Sequence, residues 1–315
     1  MNLPDESLAL AIAEKTCGER PVSVRRFTTG SRHYVYEVRF AGHVPVVVRI
    51  GDANASYEMG GAVHLSELLR PLGVPLPKML AQDVSAPLPW IVLERLDGSD
   101  LGDTIATLPD DALNGIAKEI ARAQTIVATT PSAGRFGYAG AAEKAPHSSW
   151  RQVLQDNLER SHRRITSAGL FDAGLVDRVQ GLLDARADRL DAVPATPFLH
   201  DTTTKNVIVT AQGKFSGIVD VDDLCFGDPR YAAALTLAVL QAYGGPIRYV
   251  DYWLAAAGQS DDDLFRLYVA LFLLDLMGEH GQVFNGNQRP SQPQARAGLL
   301  AAFEASLQRI DQALS

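Results

Sequence analysis

Three side chains that can supply oxygen ligands occur within one short stretch of the chain, residues 198–230. Asp201 and Asn206 stand five residues apart just before an apolar run, and Asp220 stands near the end of the next apolar run. Carboxylate and amide oxygens are the ligands that Mg²⁺ prefers, and Mg²⁺ usually takes only one or two of them from a protein, leaving places for water and nucleotide phosphates. Brought together, these side chains would form a site for magnesium and a phosphate group.

Two short strands are the elements that would bring these side chains together. Residues 207–209 are all β-branched, residues 215–221 form the second run, and the segment between them contains Gly213. This pattern predicts a β-hairpin. An isolated Asp-x-x-x-x-Asn pattern is also typical of a capped turn, but the hairpin, the later aspartate and the Gly-Asp-Pro at 227–229 together favour a functional site.

The same stretch resembles the core of the aminoglycoside phosphotransferase family, small-molecule kinases with a protein-kinase-like fold. The family motif runs His-Gly-Asp-x-x-x-x-Asn, then Ile-Asp-Trp, then Gly-Asp-Pro. The resemblance implies that Asp201 is the catalytic base, that Asn206 and Asp220 hold magnesium, and that Asp228 braces the loop. The family histidine usually stands two residues before the aspartate, whereas His200 directly precedes it here. A catalytic, a supporting and a structural role for His200 all stay open.

The periodicity of the chain changes near residue 98. Alternating residues predict three antiparallel strands between residues 22 and 50, and amphipathic helices follow residue 98. The resemblance covers essentially the whole chain and implies an α+β, two-lobed protein-kinase-like fold. Residues 1–97 would form an antiparallel-sheet, nucleotide-binding lobe, and residues 98–315 a mainly helical catalytic and substrate lobe.

In the helical part, the spacing of apolar residues predicts the helices, and glycine and proline indicate the loops between them. Continuous helices are predicted at residues 150–165 and 173–190. Residues 131–147 are rich in Gly, Ala and Pro and predict a long loop, and residues 278–281 predict a shorter one. Asp261, Asp262 and Asp263 precede an apolar helix, where capping is a more typical purpose for them than substrate binding.

The resemblance also implies contacts to the nucleotide phosphates. The turn that contains Gly30 and Ser31 would cover the phosphates, and Arg49 would stand where kinases carry the lysine that contacts them. Arginine suits this position because it is permanently charged and binds phosphate bidentately. Taken alone, the glycine is typical of an ordinary turn, and the arginine is typical of a solvated strand residue. The phosphate-binding role of both therefore depends on where they stand relative to the family pattern.

A carboxylate on the next helix, residues 55–70, would orient Arg49. Alignment with the family places Ala62 where a glutamate is usual, so the predicted partner is Glu58, one helical turn earlier on the same face. Glu67 is the second choice.

The strand at residues 90–96 resembles the last strand and the hinge between kinase lobes. The backbone from Glu94 to Leu96 would then hydrogen-bond the purine base, and Val92 and its neighbours would line the base pocket. The alternative is an ordinary edge strand.

Composition limits the other function classes. The chain has 315 residues, two cysteines and a formal net charge of −8, which argues against a disulfide framework, a zinc site and a nucleic-acid partner. It contains no apolar run of membrane-spanning length, and its acidic N-terminal segment is unlike a signal peptide. We therefore expect a cytoplasmic protein with no membrane partner.

The reaction implied by the resemblance is Mg²⁺-assisted phosphate transfer from ATP or GTP to a hydroxyl group of a small molecule. The acceptor is an aminoglycoside, as in antibiotic resistance, or a cellular amino alcohol or sugar. Asp275 and Glu279 are candidates for binding a polar or cationic acceptor. A nucleotide-binding pseudoenzyme is the rival, because His200 is displaced and Ala62 lacks a carboxylate. The chain has no Walker phosphate-binding motif.

Overall fold

The N-terminal part of the computed structural model is an antiparallel sheet with two helices. The structure describes residues 3–27, 33–284, 287–288 and 291–312. Five strands form the sheet in the order β1-β2-β3-β5-β4. They are β1 (Ser23–Phe27), β2 (Tyr34–Arg39), β3 (Val46–Ile50), β4 (Met79–Asp83) and β5 (Trp90–Glu94), and the helices are α1 (Glu6–Cys17) and α2 (Ser56–Leu69). The three strands predicted between residues 22 and 50 are all present.

Apolar side chains of the central strands point to both faces of this sheet and form a small core on each face. Tyr36 and Val48 point toward α1, where they pack with Ile12, while Ile91 on β5 packs with Met59 of α2. The Asp5 carboxylate begins α1 by accepting a hydrogen bond from the Leu8 amide (2.8 Å). Each face of the sheet is therefore covered by one helix.

The C-terminal part is mainly helical. Nine helices follow one another among the described residues, together with short strands. The helices are α3 (Leu101–Thr104), α4 (Asp110–Val127), α5 (Trp150–Ala168), α6 (Leu175–Asp184), α7 (Ala187–Asp191), α8 (Arg230–Tyr243), α9 (Arg248–Ala256), α10 (Asp263–Glu279) and α11 (Pro293–Gln312). The strands are β6 (Ser99–Asp100), β7 (Gly137–Ala139), β8 (Thr196–Phe198), β9 (Val207–Val209), β10 (Phe215–Ile218), β11 (Leu224–Gly227), β12 (Val283–Phe284) and β13 (Asn287–Gln288). The α+β class, with a sheet first and helices after it, is confirmed.

Two three-stranded sheets in the helical part carry the loops of interest. The predicted hairpin is β9 and β10, and β6 adds to its outer edge in the order β10-β9-β6. The second sheet has the order β7-β11-β8. One loop connects β8 to β9, and another connects β10 to β11. Both loops therefore run between the same two small sheets.

Several elements differ from their prediction. The long loop predicted at 131–147 contains β7, which pairs with β11, and a bridge between Phe136 and His147. The helix predicted at 173–190 is divided into α6 and α7. Helix α10 continues through Glu279, where a loop was expected, because residues 269–274 of this helix are buried on all sides. Asp262 caps α10 as predicted, accepting from the Phe265 amide (3.0 Å).

Asp228 lies in the interior of the helical part. It is buried, accepts hydrogen bonds from Nε and Nη2 of the Arg230 side chain, and accepts another from the Tyr268 hydroxyl (3.0 Å). The Trp150 indole donates in turn to Tyr268 (3.1 Å). Asp228 therefore ties the start of α8 to α5 and α10, behind the loop that follows β10.

Helix α2 approaches the helical part through a glycine. A Cβ atom at Gly61 would lie 2.3 Å from the carbonyl oxygen of Asp222, in the loop after β10, whereas a Cβ atom at Gly60 would meet nothing within 4 Å. Only a residue without a side chain allows this contact between the helix and that loop.

The two neighbouring glycines provide a matched pair of substitutions. Gly61→Ala should lower the free energy of unfolding by about 1–3 kcal/mol, because the added methyl group collides with backbone. Gly60→Ala should be neutral or stabilise by up to about 1 kcal/mol through helix propensity. Urea unfolding of both variants tests this, and equal effects at the two positions would contradict the docking described here.

Candidate active site

The candidate site lies where two loops meet at one end of the β9–β10 hairpin. Residues 199–206, the first loop, join β8 to β9, and residues 219–223, the second loop, join β10 to β11. The amide of Val219 donates to the carbonyl oxygen of Asn206 (2.9 Å) and holds the loops together. The hairpin therefore places Asp201, Asn206 and Asp220 around one end of a cleft.

Asp201 is surrounded by groups that favour its ionised form. Its Oδ1 accepts a hydrogen bond from the Thr203 hydroxyl (2.7 Å), and its Oδ2 lies 3.2 Å from the Lys205 ammonium. Burial by itself would raise the pKa of Asp201, but the charges of Lys205 and His200 and the Thr203 hydrogen bond hold that pKa below its ordinary value. Asp201 is thus a carboxylate ready to accept a proton.

Asn206 is buried and its orientation is fixed. Its Nδ2 donates to the main-chain carbonyl oxygen of Asp201 (3.0 Å). Because the amide nitrogen is used in this way, the amide oxygen is the atom that remains as a ligand for a cation.

Asp220 has an unusual backbone conformation. Its φ angle is 64°, the left-handed region, and it is the one residue other than glycine with positive φ among the described part of the chain. Such conformations cost energy in residues with a side chain and are concentrated at functional sites. Its carboxylate is about half exposed and lies 3.0 Å from the Arg49 guanidinium.

Arg49 joins the N-terminal sheet to the second loop. It lies on β3 with 5% of its surface exposed. Its guanidinium donates a hydrogen bond to the Asp222 carboxylate and forms an ion pair with Asp220 (3.0 Å). Burial disfavours the charge, but Asp222 and Asp220 outweigh this and raise the pKa of Arg49. The Nε atom is buried and has no hydrogen-bond partner in the described structure.

The direct partner of Arg49 is Asp222, a residue that the sequence analysis did not nominate. Asp222 also lies 3.2 Å from Nε2 of His33, a buried residue on the approach to β2. Burial opposes ionisation of Asp222, but Arg49 and His33 lower its pKa well below the usual range. Glu58 also raises the pKa of Arg49, by less than Asp222 and Asp220 do. Glu67 is exposed on α2.

His200 lies beside the second loop. Its Nδ1 lies 3.2 Å from a carboxylate oxygen of Asp223, and its ring packs edge-on against Tyr138, with ring centroids 4.9 Å apart. These contacts describe a residue that holds the two loops in place.

A cleft runs from these loops to the connection between the two parts of the chain. The space between its walls, counted together with the solvent at its open side, is about 1060 Å³. Both apolar and charged side chains line it. The lining residues are Phe27, His33, Val35, Val47, Arg49, Pro77, Leu93, Glu94, Arg95, Leu96, Asp100, Lys205, Asn206, Ile208, Val219 and Asp220.

The predicted hinge residues lie along this cleft. Glu94 and Leu96 both line it, although the amide of Glu94 already donates to the carbonyl of Lys78 (2.9 Å). The prediction for Val92 was wrong: its side chain is buried in the core under α1, and the neighbouring Leu93 lines the cleft instead. Successive side chains of a strand point to opposite faces, which explains the exchange.

Asp275 and Glu279 lie one helical turn apart on α10. Asp275 is already paired with Arg160 (3.2 Å) and accepts from the Ser161 hydroxyl (3.3 Å), and Arg164 lies 3.7 Å away. Glu279 is close enough to contribute to the electrostatic environment of Lys205. Gly30 and Ser31 lie outside the described residues.

Comparisons with known proteins decide the family. Residues 23–268 match the model of the Phosphotransferase enzyme family, APH. The chain belongs to this family. It is therefore a phosphotransferase, with a hydroxyl group of a small molecule as the acceptor. No curated protein sequence matches it significantly.

Solved structures share the fold at low identity. The aminoglycoside phosphotransferase APH(4)-Ia, in complex with ADP and hygromycin B, is 16% identical, with a TM-score of 0.63 over 96% of this chain and 97% of that one. The GDP and kanamycin complex of APH(2")-IIia is 17% identical, with a TM-score of 0.66 over 98% and 97%. A putative fructosamine-3-kinase from Thermobifida fusca is 20% identical, with a TM-score of 0.62 over 95% and 98%. These similarities confirm the protein-kinase-like fold.

Two negative findings apply to the residues that the structure describes. No helix among them is both long and apolar enough to cross a membrane. No group of three or more His, Cys, Asp or Glu side chains among them is arranged to hold a metal ion.

Asp100 is a further polar residue of the cleft in this phosphotransferase. Burial and the nearby charge of Asp103 raise its pKa from 3.8 to about 6, against the opposing charges of Arg95 and Lys205. The folded state thus holds the Asp100 proton more tightly than the unfolded chain does. This contribution favours folding below about pH 4 and is lost as the pH rises through 6.

Asp100→Asn should therefore stabilise the enzyme above about pH 6 and have little effect near pH 4. Denaturant unfolding of both proteins between pH 4 and 8 measures the difference. Asp177→Asn, at an exposed position of α6, is the control and should show no such trend. A gain from Asp100→Asn that did not depend on pH would contradict the burial of this carboxyl group.

Proposed function

We propose that the enzyme transfers the γ-phosphate of ATP or GTP to a hydroxyl group of a small molecule, with Mg²⁺. The observation that carries the proposal is the convergence of Asp201, Asn206 and Asp220 at the end of the cleft where the buried Arg49 presents its guanidinium. A base, oxygen ligands for a cation and a fixed positive charge are the parts that phosphoryl transfer requires.

Asp201 would accept the proton of the acceptor hydroxyl. The hydroxyl oxygen forms a bond to the γ-phosphorus while the bond from that phosphorus to the β–γ bridging oxygen breaks, and the nucleoside diphosphate leaves with the electron pair. The lowered pKa of Asp201 keeps it ionised at neutral pH, and its position within hydrogen-bond reach of the acceptor decides the rate.

Asn206 and Asp220 fit a magnesium ion. Both present hard oxygen atoms to the cleft, and two protein ligands suffice for Mg²⁺ when phosphates and water complete the coordination. The left-handed φ angle of Asp220 turns its carboxylate toward the cleft end. When bound, Mg²⁺ would neutralise phosphate charge during transfer.

Arg49 would hold the phosphates, with Asp222 as the residue that positions it. Arg49 lines the cleft, and a guanidinium can bind phosphate bidentately. The carboxylate missing at Ala62 thus has a substitute in Asp222, which removes one of the two reasons for considering a pseudoenzyme.

Apolar side chains of the cleft would hold the purine, among them those of Val35, Val47 and Ile208. On this basis residues 1–97 are the nucleotide-binding lobe and residues 98–315 the catalytic and substrate lobe, with Glu94 and Leu96 at the hinge. The related structures contain ADP or GDP, so both nucleotides belong in the first assay. The turn with Gly30 and Ser31 would cover the phosphates.

The acceptor side of the site favours no single compound class. Asp275 already faces two arginines, so its charge is largely neutralised, and Glu279 is the better candidate for a cationic group. We propose a small-molecule hydroxyl acceptor, an aminoglycoside or a cellular amino alcohol or sugar. An aminoglycoside acceptor would make this an antibiotic-resistance enzyme. The cysteines Cys17 and Cys225 are free, in keeping with a cytoplasmic enzyme.

Release of ADP or GDP in the presence of Mg²⁺ tests the proposal. The panel contains aminoglycosides, amino alcohols, sugars and glycated amines, each with ATP and with GTP. Asp201→Ala should lower turnover by about 10²–10⁴-fold, the range for a lost base, while nucleotide binding persists. Asp177→Ala is the control and should retain activity, since that side chain is exposed on α6. Turnover by Asp201→Ala at the wild-type rate would exclude the proposed base.

A further inference from the structure

The first loop, residues 199–206, contains a lysine that is exposed although its neighbours in the loop are buried. Thr202, Thr203 and Thr204 are buried, Asn206 is buried, and Lys205 alone between them is exposed. Its side chain lines the cleft, with about half of its surface accessible.

Neighbouring contacts fix the backbone on both sides of this lysine. The carbonyl oxygen of Thr204 accepts from the Gly102 amide (3.0 Å), and the amide of Asn206 donates to the Thr203 carbonyl (2.9 Å). A Cβ atom at Gly102 would lie 3.3 Å from the Thr204 hydroxyl oxygen, so α3 packs closely on the loop. The backbone on both sides of Lys205 is therefore held in place, while its long side chain extends into the cleft and is half exposed.

The ammonium of Lys205 is in contact with Asp201 and close enough to Asp220 to interact with its charge. It is 3.2 Å from Oδ2 of Asp201, the proposed base, and it also interacts electrostatically with Asp220, the proposed metal ligand. A phosphoryl group that moves from a nucleotide held by Asn206 and Asp220 to an acceptor held by Asp201 would lie next to this ammonium.

The arginines Arg49 and Arg95, which line the cleft, are each held in a fixed position by their partners. Arg49 is bound by two carboxylates, Asp220 and Asp222. Arg95 donates to the Glu37 carboxylate (3.0 Å) and to the Gly98 carbonyl (2.9 Å). The carboxylates of Asp201, Asp220 and Asp222 thus outnumber the cations Arg49 and Lys205 in this end of the cleft, and a polyphosphate needs a mobile positive charge there.

From this arrangement we infer that Lys205 is a phosphate-binding catalytic residue, which exchanges the Asp201 carboxylate for the γ-phosphate when a nucleoside triphosphate binds. The inference rests on the proposed function. Lysine suits such an exchange, because its ammonium is a compact charge with three donors on a flexible chain. The exchange also frees Asp201 to accept a hydrogen bond from the acceptor hydroxyl. Lys205 keeps its protons throughout the transfer and stabilises the charge on the phosphoryl oxygens.

A nucleotide that lacks the γ-phosphate distinguishes this role from a structural one. Dissociation constants for ADP and for the non-hydrolysable triphosphate AMP-PNP are measured by calorimetry with Mg²⁺, for the wild type, Lys205→Met and Lys205→Arg. In Lys205→Met, AMP-PNP should bind about 10-fold or more weakly, the effect of one lost charged hydrogen bond. The dissociation constant for ADP should change by about 2-fold or less, because ADP lacks the γ-phosphate that Lys205 would bind. Turnover should fall by about 10²–10³-fold, the range for losing one donor that stabilises developing charge.

The control is Lys214→Met in the exposed turn of the hairpin, which should leave both affinities and turnover unchanged. Lys205→Arg retains the charge and should recover most of the preference for AMP-PNP over ADP, even if Lys205→Met proves unstable. Equal losses of both nucleotides in Lys205→Met, or no loss of either, would overturn the inference while the proposed function stands. A wild-type protein that binds neither nucleotide would overturn the proposed function and the inference with it.

Discussion

A buried arginine must be paired, and the pairing of Arg49 constrains the rest of this structure. The guanidinium lies on the central strand β3, and the carboxylates that neutralise it lie in the loop after β10. An unpaired charge at this depth would cost several kcal/mol. The sheet and the β9–β10 hairpin are therefore held at a distance set by one ion-pair cluster, and the cleft is the space that remains between them.

The other contacts of the loop at residues 219–223 support the same geometry. Gly61 allows α2 to rest on the carbonyl oxygen of Asp222, and His33 reaches the Asp222 carboxylate from the β2 side. Asp220 keeps a left-handed backbone between these contacts. A strained residue persists where its surroundings determine its conformation, and here α2, β3 and the hairpin all do so.

The hairpin and its polar residues could be predicted from the sequence because they depend on neighbours along the chain. Asp201, Asn206 and Asp220 fall within twenty residues, and turn chemistry and β-branched runs are local signals. Asp222 was missed as the partner of Arg49 because 173 residues separate them, and a family alignment directed attention to α2 instead. Lys205 was overlooked because nothing in the sequence shows that its neighbours are buried.

The remaining differences have the same physical origin. Strand β7 forms because residues 137–139 pair with β11, which is far away in sequence, and glycine and alanine give no strand signal of their own. Helix α10 runs through Glu279 because its apolar residues are enclosed by α5, α8 and α11. Patterns of local residues predict the type of element, while tertiary contacts decide its ends and the partners of its charges.

A double-mutant cycle between Arg49 and Asp222 tests the central claim most directly. The free energies of unfolding of Arg49→Met, Asp222→Asn and the double variant are compared with that of the wild type. The account predicts a coupling of about 2 kcal/mol or more, because each single change leaves a buried charge with fewer partners. The parallel cycle between Arg49 and Glu58, using Glu58→Gln, should give a smaller coupling, because Glu58 contributes less than Asp222 to the electrostatic environment of Arg49. Additive effects for Asp222, or a larger coupling for Glu58, would contradict the account.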